Sequence, residues 1–540
     1  MLNLLKNNYS FILIFLLLIF YGINNYIWLS DHQLPSCFDE AYHLVSSLKY
    51  VDILRHPSKD MFSSLLKVDD RRPPFFHFCM AVSNIIWGKS KASSVIMTNI
   101  FFAGILFLSV YHIGKNMEDK KTGLLAVFIV AMYPYIFGLS RMSLPNFASI
   151  AVICLSLWCI ICTDSFTRLF PSILLGLFIG LGSLTRLTFI FFVIGPLIII
   201  AIIALFDKNL AFERKKIILN LALIIIVAVA IGGIWYFPRL PFLIKTYFKV
   251  GYHLTPPIFP PLFSFPSYIY YFRSLINGQI SLFFAFIFLI ALVRILKSRR
   301  ERLKPLLFSW IIIAYIIFTL IKTKDFKNTS AYLPAFALIT SIGIMKFRTQ
   351  WLKKILVYVI ILGGLFQYFI ISFTEPSLTN IRLSFFNGKI VEGLIIPSYL
   401  YPLSEVNFHY PRKGDWRLDD VIAVIKQNSF DKKNITIGVT DAYIDIKTDW
   451  FDPLRIDSSH ENFITTNVDA LEYFLRTNRL FYNVISLSYW NEDWRRKPLL
   501  DFIISVKEIE NLAPLISQQY KLIFQTAVPD RSPIYVYKAI

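Results

Sequence analysis

Charge is scarce in this chain of 540 residues: Asp, Glu, Lys and Arg make up 17% of it, against about 25% in an ordinary soluble domain. With 56% hydrophobic residues and a mean hydropathy of +0.56, the composition is that of a bilayer protein. Cysteine is scarce too. The five present (Cys37, Cys79, Cys154, Cys159 and Cys162) have no disulfide density and one CxxC, Cys159-Ile160-Ile161-Cys162, which stands inside an apolar run; this excludes a disulfide scaffold and a zinc ribbon built on two CxxC pairs. Three of the five share one apolar segment, so only Cys37 with Cys79 could bridge outside a membrane. No GxxxxGK[ST] and no HExxH occurs, which removes support for ATP hydrolysis and zinc proteolysis. Repeats of fixed period are absent as well.

Long apolar runs are what the chain has instead. A helix rising 1.5 Å per residue needs roughly 20 apolar residues to cross a hydrocarbon core about 30 Å thick. Such runs fall at 10–29, 93–113, 122–140, 146–163, 171–185, 187–206, 217–236, 280–296, 306–321, 331–346 and 352–373. A single helix over 171–206 would be about 53 Å long, too long for one crossing, and Thr185-Arg186 interrupts it. The first run follows Lys6 and lacks a small-residue cleavage site, so it reads as a retained membrane helix rather than a signal peptide.

The net charge of +20 comes largely from short clusters between the runs: Lys115, Lys120 and Lys121; Arg214, Lys215 and Lys216; residues 294–304; residues 346–354. Basic loops are retained in the cytoplasm, and with eleven spans all four clusters land on one face. This distribution argues against a nucleic-acid partner. It also places the N-terminus in the cytoplasm and the loops 30–92 and 237–279 outside, with everything after 372. From 374 onward the apolar runs shrink to strand length. Helical patterns at 418–428 and 468–477 alternate with strand-like runs at 435–439, 484–488, 502–506, 522–526 and 534–537, the pattern of a small soluble α/β domain over 374–540.

The first outer loop opens with Phe38-Asp39-Glu40-Ala41-Tyr42-His43. Adjacent carboxylates at a membrane surface suit deprotonation of an acceptor or a divalent cation held against phosphate; solvated loop charge is the plainer use. The same loop carries Asp69-Asp70-Arg71-Arg72-Pro73-Pro74 and then apolar and aromatic residues. Arginine beside a rigid Pro-Pro at a helix entrance suits bidentate phosphate binding, or anchoring to anionic lipid. The second outer loop holds His253, several prolines and Tyr268, Tyr270 and Tyr271. It could cover a prenyl chain or a sugar, or form an interfacial aromatic belt. Arg186 stands at membrane depth, where an ionisable residue is costly and tends to be functional. Lys322, Lys324 and Lys327 precede Tyr332-Leu333-Pro334-Ala335 in a short outer turn and offer a second phosphate contact.

Asp-Glu after the first span, Arg-Pro-Pro later in that loop, Tyr133-Pro134 with Ser140-Arg141, residues 176–186 and Tyr332-Leu333-Pro334-Ala335 come in this order along residues 1–372. The chain thereby resembles the polyprenol-phosphate-dependent glycosyltransferases of the C-type membrane fold (glycosyltransferase family 39-like). Within them it is most similar to the bacterial group of protein O-mannosyltransferase-like enzymes and the aminoarabinose transferase of lipid A. The resemblance implies an α-helical polytopic membrane domain over 1–373 with an extracytoplasmic α/β domain over 374–540, in a bacterial inner membrane. It implies Asp39 as catalytic base with Glu40 beside it, and Arg72 on the carrier phosphate, with Arg71, Arg186, Lys322 and Lys324 available to assist. His253, Tyr268 and Tyr271 would line the substrate loop. Aminoarabinose-type relatives have a metal-binding Glu where this chain has Arg71, so a divalent cation here would draw on Glu40, Asp69, Asp70 and His253. The expected partners are a polyprenyl-phosphate-linked sugar, a glycan, lipid or protein acceptor, and the bilayer. Two rival readings are a polytopic transporter, which would show paired ionisable groups in repeated halves, and a membrane sensor or scaffold that binds through its C-terminal domain.

Overall fold

The computed structural model describes residues 2–31, 38–248, 260–297, 304–374, 417–429, 435–439, 471, 476, 483–486, 500–505, 519–527 and 533–540. All eleven expected apolar stretches are helical: α1 (Leu2–Asp31), then α2 (Phe38–Arg55), α3 (Met61–Lys67) and α4 (Phe75–Trp87) of the first outer loop, then α5 (Lys91–Met117), α6 (Lys120–Met132) and α7 (Pro134–Leu139). There follow α8 (Pro145–Cys162), α9 (Leu169–Ser183), α10 (Ile190–Phe206), α11 (Arg214–Tyr236), α12 (Leu240–Phe248), α13 (Phe265–Ser274), α14 (Ser281–Lys297), α15 (Lys304–Thr319), α16 (Leu333–Met345) and α17 (Gln350–Phe373). The expected break inside 171–206 is present between α9 and α10. The stretch 122–140 divides as well, because Pro134 takes the first helical position of α7 and holds Tyr133 extended (φ −67°, ψ 127°). Five described helical stretches are long and apolar enough to cross a bilayer on their own, among them Lys91–Met117 and Gln350–Phe373. The protein is a multi-pass membrane protein.

The chain forms two compact units. One comprises Met1–Trp28, Ser58–Cys79 and Val95–Tyr410; the other comprises Leu29–Pro57, Met80–Ser94 and Pro411–Ile540. Two segments of the first outer loop thus group with C-terminal residues.

In the first unit, helices approach closely where glycine leaves room. Gly176 and Gly180, one turn apart on α9, lie against Ile224, Val227, Ala228 and Ile231 of α11, the small-residue spacing that lets membrane helices touch. Gly343 of α16 lies directly on the main chain of Ala291 in α14. The buried Arg141 joins three elements by donating to Asn25 Oδ1 (3.3 Å), the Tyr368 hydroxyl (3.0 Å) and Ser372 Oγ (2.7 Å). Trp28, Phe137 and Tyr368 present ring faces to its guanidinium within 5.3 Å. Three of the expected basic loops share one end: Lys346 pairs with Glu118 at 3.3 Å, and Arg294 stacks on Phe347.

In the second unit, the five expected strand runs form one sheet: β1 (Thr436–Val439), β2 (Asn483–Ser486), β3 (Phe502–Ser505), β4 (Tyr520–Ala527) and β5 (Pro533–Ala539), in the order β2-β1-β3-β5-β4. β2, β1 and β3 run parallel, and β5 is antiparallel to β3 and β4. Residues alternate across the sheet as the two-residue period requires. Ile534 and Val536 join Val421, Ile422 and Ile425 of α18 (Leu418–Asn428) on one face, and Tyr535 and Tyr537 join Leu500, Ile503 and Tyr520 on the other. Of the helical pattern expected at 468–477, only Leu471 and Arg476 are among the described residues. Arg476 pairs with Asp52 of α2 at 3.1 Å.

A Gly343→Leu substitution has no space between α16 and α14 and should cost about 1–3 kcal/mol. A lowered Tm of the detergent-solubilised protein is the expected result, and an unchanged Tm would show that the two helices separate freely.

Candidate functional site

The first unit gathers cations from four distant segments at one end of its helices. The loop after α3 turns because Asp69 Oδ1 accepts the Arg71 amide at 2.7 Å, an Asx-type turn. Pro73 and Pro74 then set the direction of α4, whose first amide, at Phe75, donates to the Leu184 carbonyl at 2.9 Å. That bond ties the Arg71–Arg72 loop to the α9–α10 turn, which carries Arg186. Arg186 is half-buried and donates to Asn328 Oδ1 and the Lys327 carbonyl, both at 3.3 Å. Asp325 caps the 3-10 turn Phe326–Tyr332 through the Lys327 amide, and so places Lys324, Lys327 and Asn328.

Tyr247, near the end of α12, is where these segments meet. Its hydroxyl donates to the Arg71 carbonyl at 3.2 Å and lies within electrostatic reach of Arg72, Asp69, Arg186 and Arg71. Tyr271 of α13 is buried, with its phenol close to Asp325 and Asn328. Above its ring, at 5.8 Å, stands the Lys324 ammonium. Lys324 is buried and donates to the carbonyls of Thr319 (2.5 Å) and Phe318 (3.3 Å), and among the described residues no carboxylate pairs with it. Burial brings its pKa down to about 8.

Positive charge therefore exceeds negative here. Asp325 pairs with Lys327 at 3.2 Å, and Asp70 pairs with Arg239 at 2.8 Å. Asp69 shares the surroundings of the Tyr247 phenol with Arg71, Arg72 and Arg186. Such a surplus at a partly desolvated helix end favours an anion. Among the residues expected on the phosphate, Lys322 is half-buried in the same turn as Lys324. Tyr268 is exposed and its carbonyl accepts the Tyr315 hydroxyl. His253 lies outside the described residues.

Asp39 and Glu40 belong to the second unit, in the first turn of α2, where acidic residues complement the positive end of the helix dipole. Asp39 is half-buried; Glu40 is fully buried and pairs with Lys91, itself buried, at 3.3 Å. Breaking a buried pair by removing one partner costs about 3–5 kcal/mol, so Lys91 fixes Glu40, and with it the turn that carries Asp39. The carboxylates suggested for a divalent cation are thus already engaged: Glu40 by Lys91, Asp70 by Arg239, Asp69 by the Arg71 amide. Among the described residues no group of three or more His, Cys, Asp or Glu is placed to hold a metal ion. Cys79 is a free thiol.

Four residues of these sites carried no expectation. Arg239 could have been found, since it is a basic residue outside the membrane like Arg71 and Arg72. Tyr247, Lys91 and His77 could not, because their roles come from residues far away in the chain or from burial. His77, in the first turn of α4, has its pKa lowered from 6.5 to about 4, mainly by burial and further by Arg72, with Asp69 opposing. It is therefore neutral in the fold at physiological pH. Below pH 6.5 an unfolded chain takes a proton that the folded one refuses, so stability falls as pH drops from about 6.5 to 4, by roughly 3 kcal/mol in full. Tm measured over that range should fall less steeply for His77→Gln than for the wild type; parallel slopes would show that His77 is protonated in the fold.

Residues 71–235 match the family model described as dolichyl-phosphate-mannose-protein mannosyltransferase. No curated protein sequence matches the chain. Among solved structures, ArnT from Cupriavidus metallidurans bound to undecaprenyl phosphate superposes with a TM-score of 0.59 at 12% identity, covering 97% of each chain. Its apo state gives 0.57 at 12% identity over 96% of this chain and 97% of that one. The archaeal oligosaccharyltransferase AglB from Archaeoglobus fulgidus, in complex with an inhibitory peptide and a dolichol-phosphate, gives 0.50 at 13% identity over 98% of this chain and 74% of that one. The fold is that of the C-type membrane glycosyltransferases, and the chain is similar to their polyprenyl-phosphate-dependent members.

Proposed function

We propose that the protein is a membrane glycosyltransferase that moves a sugar from a polyprenyl-phosphate carrier to an acceptor hydroxyl on the extracytoplasmic face. The observation that carries this reading is that Arg71, Arg72 and Arg186 lie within electrostatic reach of the Tyr247 hydroxyl, with Lys324, which no described carboxylate pairs, just before the turn that Arg186 contacts. A phosphate group on a prenyl chain suits such a cluster: its tail stays in the bilayer and its charge is neutralised at the helix ends. The match to a dolichyl-phosphate-mannose-dependent family and the undecaprenyl phosphate bound by ArnT support the same carrier class.

In the proposed step an acceptor oxygen attacks the anomeric carbon, the bond from that carbon to the phosphate oxygen breaks, and the acceptor proton passes to Asp39. A single displacement inverts the anomeric configuration. Lipid phosphate is already a good leaving group, so the cations have more to do than a general acid would: they stabilise the charge that grows on the departing phosphate. Arg72 and Arg186 take that part. Arg71 and Lys324 add positive potential, and Glu40, held by Lys91, supports the Asp39 turn. Tyr268, Tyr271, Lys322 and the loop containing His253 are assigned to the donor side. The acceptor is a hydroxyl of a glycan, lipid or protein, and the compartment is that of a bacterial inner membrane facing outward.

Sugar transfer from a prenyl-phosphate-linked sugar, measured with purified protein, tests the assignment. Asp39→Asn should lower kcat by about 10²–10⁴ with donor binding retained, whereas Arg72→Gln should both lower kcat and raise the donor KM, because Arg72 holds the phosphate and also meets the charge that grows on it. Undiminished transfer by Asp39→Asn would remove the base from the mechanism.

A further inference from the structure

The Arg71–Arg72 loop is held from both ends of α12. Before its first residue, Arg239 is almost fully buried and uses its whole guanidinium: Nε donates to Asp70 Oδ1 at 2.8 Å, Nη2 to the Leu66 carbonyl at 2.7 Å and Nη1 to the Trp235 carbonyl at 3.2 Å. Its face packs on the Trp235 ring at 5.2 Å. Near the other end, the Tyr247 hydroxyl donates to the Arg71 carbonyl. Between these points Leu240, Phe242 and Ile244 are exposed.

A planar fork that makes three bonds and one stack has little rotamer freedom left, so it defines the position of what it binds. Leu66 and Asp70 flank the turn closed by Asp69, and Arg71 and Arg72 follow at once. An exposed ion pair contributes little to stability, and the Asp70 carboxylate is mostly solvent-facing. Global stability therefore does not account for an arginine buried to meet it. We propose that Arg239 is a positioning residue for the donor phosphate: acting through Asp70 and the Leu66 carbonyl, it fixes the loop from which Arg71 and Arg72 reach the phosphate. This inference rests on the glycosyl-transfer reading above and adds to it a residue that touches neither donor nor acceptor.

The test is binding of undecaprenyl phosphate to the full-length protein in nanodiscs, with the corresponding prenol, which lacks the phosphate, as control. Asp70→Asn and Arg239→Gln should each weaken prenyl-phosphate binding on the order of tenfold, and the double variant no more than either alone, because they act as one unit. Prenol binding and the Tm of Asp70→Asn should be unchanged, and Arg239→Lys, which keeps the charge but loses the fork, should recover only part of the affinity. If Arg239→Gln fails to fold, Asp70→Asn carries the test alone. Wild-type-like phosphate affinity in Asp70→Asn, or losses that simply add in the double variant, would overturn the positioning role. Absence of prenyl-phosphate binding in the wild type would overturn the glycosyl-transfer reading and this inference with it.

Discussion

A chain in lipid must close its backbone hydrogen bonds within its helices, so irregular backbone collects at helix ends. In this protein that constraint decides where chemistry is possible. The bond from the Phe75 amide to the Leu184 carbonyl joins the first outer loop to the α9–α10 turn, and the segments carrying Arg71, Arg72, Arg186 and Tyr247 converge around it. Glycine contacts such as α9 on α11 and α16 on α14 permit the close helix approach beneath. Arg141, bonded to residues 25, 368 and 372, locks another part of the same bundle.

Electrostatics then separates holding from binding. Asp70 is engaged by Arg239 and Asp325 by Lys327, so these carboxylates fix the loops that carry them rather than balance the surplus cations. Lys324, which among the described residues is met by main-chain carbonyls and a ring face but no carboxylate, is costly to bury. An incoming phosphate would offset that cost. A buried cation that no described carboxylate pairs, and three arginines at helix ends, are the features from which the phosphate site is proposed.

The eleven apolar stretches and five strand runs could be read from residue order, because each is a local periodicity longer than its breaks. So could the division inside 171–206, where Thr185 and Arg186 interrupt an otherwise uniform run. The choice of Arg71, Arg72 and Arg186 was legible for a related reason: charge standing where lipid or the positive-inside trend disfavours it. Their meeting point was not, since residues 71 and 247 have no sequence signal that they approach each other. The same limit applies to Glu40, whose place beside Asp39 pointed to chemistry while its partner, Lys91, lies fifty-one positions on. Nor was the pairing of Asp70 with Arg239 legible, because it depends on the path the chain takes after α11.

Whether the cations of the first unit form a phosphate site for a lipid-borne donor, as proposed, is measured directly by a cryo-electron-microscopy structure of the protein in nanodiscs with undecaprenyl phosphate. Phosphate density is expected in contact with Arg72 and Arg186 beside the Tyr247 hydroxyl, with the prenyl chain leading into the bilayer. Phosphate density elsewhere, with those arginines unoccupied, would contradict the proposal.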